Sequence, residues 1–99
     1  MNYRLLTVAE EDLAEAVAWY ERQGTGLGGD FLDEFEAALS LICRYPEAWH
    51  PLSRRHRRCL LRRFPFSVLY TVAAETIIVS GIMDSRMDPQ RQRERMRQT

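Results

Sequence analysis

The chain has 99 residues, 45% of them hydrophobic and 28% charged, a composition that supports one packed domain and excludes a disordered chain or two separate folding units. No apolar run approaches the roughly 20 residues that cross a bilayer, and the opening Met1-Asn2-Tyr3-Arg4-Leu5-Leu6 lacks the basic-then-apolar order of a secretory signal. A cytoplasmic protein with no membrane partner is expected. The formal net charge of zero conceals a strong polarity: residues 1–49 hold three arginines against ten acidic residues, a balance of minus seven, and residues 50–99 hold eleven arginines against four acidic residues, a balance of plus seven. There is no lysine, so every basic side chain is a planar, permanently charged donor suited to phosphate and carboxylate.

In chain order, Tyr3-Arg4-Leu5-Leu6-Thr7 alternates and carries β-preferring residues, which predicts a short first strand. Thr7-Val8-Ala9-Glu10 has the form of a capping box, and Leu13, Ala16, Val17 and Tyr20 then recur at helical spacing behind acidic residues that suit a helix start. A first helix is expected over about residues 8–23. Gly24-Thr25-Gly26-Leu27-Gly28-Gly29 is a turn; it follows a helix and has neither the spacing nor the lysine of a phosphate loop. From Asp30 a second helix carries Phe31, Phe35, Leu39 and Ile42 as a core stripe and closes at Pro46. Two helices joined by a short turn should form an antiparallel hairpin.

After a loop over 46–55 the period changes to two. Residues 57–63 read as a strand ending at Phe64-Pro65, 66–72 as the next and 76–83 as the last, with room for only a hairpin turn at 73–75. The last strand is apolar on both faces except at Ser80, which places it inside the sheet, covered on at least one side by the helices. Residues 90–99 form an arginine- and glutamine-rich tail, either a short exposed helix or a disordered arm. Cys43 and Cys59 sit in apolar surroundings without paired spacing and read as small hydrophobes. His50 and His56 have no partner at ligand spacing, so neither a metal nor another cofactor is expected. The order β-α-α-β-β-β is that of an α+β domain, a helix hairpin on a twisted, largely antiparallel sheet, over residues 1–89.

The ordered set Ala16-x-x-Trp19-Tyr20-x-x-Gln23-x-x-Gly26-Leu27-Gly28-x-x-Phe31, Tyr45-Pro46, Arg58-x-Leu60-Leu61-x-Arg63-Phe64-Pro65-Phe66-x-Val68-x-Tyr70-x-Val72, Ile77-x-Val79 and Arg86-x-Asp88-Pro89 resembles the RelE/ParE toxin superfamily, on its ParE-like side. The resemblance implies the same fold, a toxin half of a type II toxin–antitoxin (plasmid-stabilisation-like) pair, and a cognate antitoxin in a possible hetero-oligomer. One branch of the superfamily enters the ribosome and cuts mRNA; the other poisons DNA gyrase. Strand cleavage through a 2′-hydroxyl needs groups that carry protons as well as cations that hold phosphate. Arginine is a poor proton carrier, there is no lysine, and no tyrosine or histidine follows Tyr70. Where many relatives carry a histidine, this chain has Asp84.

The reading that follows is a docking toxin with no catalytic residue, aimed at DNA gyrase, with Arg58, Arg62, Arg63 and Arg86 forming a target-binding cationic edge on neighbouring strands. Were the chain a nuclease, Arg58, Arg63, Tyr70, Asp84 and Arg86 would be its catalytic set; Tyr70 otherwise reads as a sheet-packing residue. A third reading is a relative that binds an antitoxin but is not toxic. An antitoxin segment is expected to pair acids with the basic residues and to cover Trp19, on the outer face of the hairpin, and the sheet around Leu60.

Overall fold

The computed structural model describes residues 1–86 and 88–97. The chain runs β1 (Asn2–Leu5), α1 (Thr7–Gln23), α2 (Leu27–Arg44), β2 (His50–Pro51), β3 (His56–Leu60), β4 (Phe66–Ala73), β5 (Thr76–Asp84) and α3 (Pro89–Arg97). The five strands form one sheet in the order β1-β5-β4-β3-β2. β1 runs parallel to β5 and the other three pairs are antiparallel. β5 therefore lies inside the sheet, as its two apolar faces predict.

The helix hairpin departs from expectation at its ends. Leu6 occupies the cap of α1 and no side chain caps the helix, so Thr7 is already helical and the capping box over 7–10 does not form. The first turn is held by the N–H groups of Ala9 and Glu10, 2.9 and 3.0 Å from the Leu6 carbonyl oxygen. The turn is also shorter than the glycine run. Gly26, at φ 91°, takes the left-handed conformation that glycine tolerates, and α2 begins at Leu27, three residues before the predicted start. Two features hold Gly28 in the helix. A Cβ at Gly28 would stand 2.7 Å from the Val17 carbonyl oxygen, so the missing side chain lets the helices touch. The Glu21 carboxylate, from α1, accepts N–H donations from Gly26 at 3.1 Å and Gly28 at 3.0 Å, satisfying donors that a helix start leaves free.

On the sheet face beneath the hairpin, Phe31, Phe35, Leu39 and Ile42 meet Val68, Tyr70, Ile77, Val79 and Ile82 in one buried cluster, the stripe predicted from the spacing. Each large apolar side chain so buried contributes about 1.5–3 kcal/mol. On the opposite face Leu69, Ile78 and Met83 are also buried. There α3 packs on β5, turning half-buried Gln92, Arg95 and Met96 inward at the three- and four-residue spacing of one helix face. It comes close at Gly81, where a Cβ would meet the Arg95 Cγ at 3.5 Å. Most of the arginine-rich tail is thus helical; Gln98 and Thr99 lie outside the described residues.

Two strand boundaries also shift. β3 stops at Leu60 rather than Arg63, because the Leu61 N–H turns to the Phe66 carbonyl at 2.9 Å and the next two N–H groups go to a side chain of α2. The two-residue β2, which no alternation announces, pairs with Arg57 and Arg58.

Candidate functional site

The end of the sheet where β3 turns into β4 is built on α2. Glu34 Oε1 accepts the backbone N–H groups of both Arg62 and Arg63, the latter at 2.8 Å. With its backbone fixed, the loop projects both side chains outward. The Arg63 guanidinium lies 3.6 Å from Asp30 and 5.5 Å from the centroid of the Phe64 ring; Arg62 has no ion-pair partner among the described residues. Phe64 and Phe66 close over Tyr20 and Phe31, with ring centroids 4.7–6.0 Å apart. This aromatic nest seats the loop on the helix hairpin.

The end of β5 arrives beside that loop, since the Ser85 N–H donates to the Pro65 carbonyl at 2.7 Å. Asp84 and Arg86 are bound to each other in a fork: Arg86 Nε to Asp84 Oδ1 at 3.0 Å and Nη2 to Oδ2 at 2.8 Å. Hydrogen bonding from Arg86 holds the Asp84 carboxyl below the ordinary carboxylate range, which makes it a weak proton acceptor near neutral pH. Arg62, Arg63 and Arg86 therefore share one end of the sheet. Arg58 stands apart from them. It alternates with core-facing Cys59 and so points, with Leu60, to the other face of the sheet. There the Arg58 Nε and Ser67 Oγ atoms are buried with no hydrogen-bond partner among the described residues.

A cleft of about 420 Å³ opens between α1 and the end of β5, lined among others by Asp12, Trp19, Tyr20, Asp84, Arg86 and Arg95. Trp19 is 49% exposed and meets Tyr20 edge to face at 5.0 Å. Burial raises the Tyr20 phenol above its ordinary pKa, with Arg86 lowering it and Asp84 raising it, so the hydroxyl feels that ion pair. Across the cleft the Asp12 carboxylate accepts the Ile82 N–H at 3.1 Å and binds Arg95 of α3. β1 pairs with β5 only from Thr76 to Val79, which leaves the edge of β5 open for Asp12 beyond that point.

Tyr70 lies in the helix-side core and donates its hydroxyl hydrogen to the Pro46 carbonyl; burial pushes its pKa up to about 12. It faces away from Arg58, on the other side of the sheet. Of the two residues expected under an antitoxin, Trp19 is on the cleft and Leu60, 55% exposed, is on β3, so they belong to different surfaces. Tyr20, Asp12 and Arg95 are site residues that sequence reasoning did not single out. Tyr20 fits the apolar stripe of α1, and nothing local links Asp12 to a residue 83 positions away.

A helix hairpin over a five-stranded sheet with β5 in its interior, a cationic rim and a tryptophan-lined cleft define a small α+β protein. Among solved structures the fold is similar to that of a protein described as "Chromosomal ParDE TA system from P. aeruginosa", with a TM-score of 0.61, 17% identity, and coverage of 85% of this chain and 95% of that one. A family model described as "ParE toxin of type II toxin-antitoxin system, parDE" matches residues 3–89. The chain belongs to that ParE toxin family. A search of curated proteins returned no match.

Proposed function

We propose that this toxin acts by docking on DNA gyrase, with Arg62, Arg63 and Arg86 as the cationic part of the contact and Arg58 on the adjoining sheet face. The observation that carries the reading is that the candidate proton carriers are committed to other partners. The Tyr70 hydroxyl is committed to Pro46 beneath the helices, Asp84 is committed to Arg86 and Asp30 lies against Arg63, and the rim cations are guanidinium groups that do not release protons. A surface of this kind adheres through bidentate contacts to carboxylate or phosphate. The choice of gyrase rests on the family. Supercoiling by purified gyrase is the test: the toxin should inhibit it, and Arg62→Gln/Arg63→Gln should weaken inhibition by about tenfold or more, the scale of losing one or two charge-assisted contacts. Undisturbed supercoiling at excess toxin, or cleavage of mRNA on ribosomes that is lost in Asp84→Ala, would remove the reading.

The same proposal includes a cognate antitoxin in the cytoplasm that silences the toxin by laying a segment over the cleft. Trp19 is its anchor, since a half-exposed indole on a cleft that also offers Tyr20, Phe66 and Met83 is a typical centre of binding energy. Trp19→Ala should weaken antitoxin binding by about tenfold or more in titration calorimetry. An unchanged affinity would move the antitoxin elsewhere, to the Leu60 face first.

A further inference from the structure

A second cationic surface lies where the turn before β3 meets α3. A hollow of about 480 Å³ is formed there by Ser53, Arg54, Arg55 and His56 together with Arg93, Met96 and Arg97. Arg54 and Arg55 are exposed on the turn, and Arg93 and Arg97 are exposed one helical turn apart on α3. None of the four has an ion-pair partner among the described residues, in contrast to Arg63, Arg86 and Arg95. The packing of α3 on β5 and the Arg95–Asp12 pair bring the two arginine pairs together from opposite ends of the second half of the chain.

We infer that this hollow binds the phosphodiester backbone of duplex DNA, independently of the rim assigned to the protein target. Four unpaired guanidinium groups around one concavity give a local charge that calls for a polyanion. The lining favours nucleic acid over an acidic peptide, because Met96 is the only hydrophobic residue among the described residues that form it, whereas peptide grooves supply pockets for anchoring side chains. It favours a duplex over a single strand, because the one aromatic ring among the described lining residues, the His56 imidazole, is buried and offers no face on which unpaired bases would stack. Arginine forks suit phosphate oxygens and read no base without a groove-penetrating element, so binding is independent of sequence. Burial, followed by the neighbouring Arg55, lowers the His56 pKa, which leaves the guanidinium groups as the source of charge. Glu47, in the adjoining hollow with Arg54, Arg55 and Arg57, and Glu94 on α3 are the nearby carboxylates, and the arginines outnumber them.

The test is fluorescence anisotropy of a labelled duplex of roughly 20 base pairs at about 50 mM salt and above, where counterion release dominates affinity. Arg54→Gln/Arg55→Gln and Arg93→Gln/Arg97→Gln should each weaken binding by about fivefold or more and reduce the slope of log affinity against log salt by up to about two. The control Arg4→Gln/Arg22→Gln removes the same net charge from exposed positions on the acidic half of the chain and should change affinity by less than about twofold. Equal losses in all three variants would show a diffuse field instead of a site and overturn the inference. So would tighter binding of single-stranded DNA or of a poly-glutamate peptide than of the duplex, or no measurable binding of the duplex by the unmodified toxin. Gyrase inhibition is read separately, so failure of either proposal is distinguishable from failure of the other.

Discussion

Beneath α1 and α2 the sheet is sealed by Phe31, Ile42, Val68, Ile77 and Val79, all fully out of water, whereas α3 closes the other face with half-buried Gln92, Arg95 and Met96 and an ion pair to Asp12. The first face draws its stability from apolar transfer, which is roughly proportional to buried area and tolerant of detail. The second adds to its buried Leu69, Ile78 and Met83 one demanding geometry: Asp12 must reach round the open edge of β5 to hold Arg95, whose side chain is 19% exposed against 16% for Asp12. A face held by transfer opens only when the protein unfolds. One held by a charge pair can release its helix alone. The faces are therefore expected to differ in cooperativity, with Arg93 and Arg97 carried on the helix of the looser one.

The largest test of this contrast is Phe31→Ala, which removes the centre of the aromatic nest and should cost about 3–5 kcal/mol of global stability. Urea unfolding measures it. A loss under about 1 kcal/mol would mean that Phe31 does not hold the hairpin to the sheet. Next comes Asp12→Ala, expected to cost about 2–3 kcal/mol, because it leaves Arg95 unpaired and the Ile82 N–H without an acceptor. Its location matters more than its size. Hydrogen exchange should show the α3 amides losing protection while those of α2 keep theirs. If both helices lose protection together, the two faces are one cooperative unit and the contrast fails. A smaller effect, about 1–2 kcal/mol, is expected for Gly28→Ala, which forces a methyl group against the Val17 carbonyl oxygen and pushes the hairpin apart. Thermal melting should report it without change in the exchange pattern of α3.

These sites also mark what was legible in the sequence. The Phe31/Phe35/Leu39/Ile42 stripe, the break at the glycine run, the hairpin turn at 73–75 and the interior place of β5 all follow from periodicity within a few neighbouring residues. Whatever depends on a partner far along the chain does not. The capping box at Thr7 has the right spelling, yet Leu6 takes the cap. The strand expected to reach Arg63 ends early because Glu34, 28 residues away, claims the Arg62 N–H. The arginine tail is helical against the sheet because Asp12 and Arg95 meet. Among the candidate site residues, the shared end of Arg62, Arg63 and Arg86 follows from strand order. Arg58 falls away from them because strand parity turns it to the opposite face, and the cleft beside Trp19 needs the third dimension.

Tyr70 gives the finest test of the sealed face, because its ionisation, like that of the neighbouring buried Cys59 thiol, would break the seal. Its hydroxyl donates to the Pro46 carbonyl and its ring has no exposure, so the neutral phenol is favoured in the folded state and its pKa moves from 10.0 to about 12. A raised folded-state pKa contributes stability that is complete below the unfolded value and lost as pH climbs through the folded one. Tyr70→Phe should therefore be about 1 kcal/mol less stable than the unmodified protein at neutral pH, where the Pro46 carbonyl loses its donor. Between pH 10.0 and about 12 the unmodified protein should lose stability more steeply than the variant, and the gap between them should narrow or reverse. Unfolding curves that stay parallel across that window would mean that Tyr70 ionises freely and that the helix-side face admits water, which would erase the difference between the two faces.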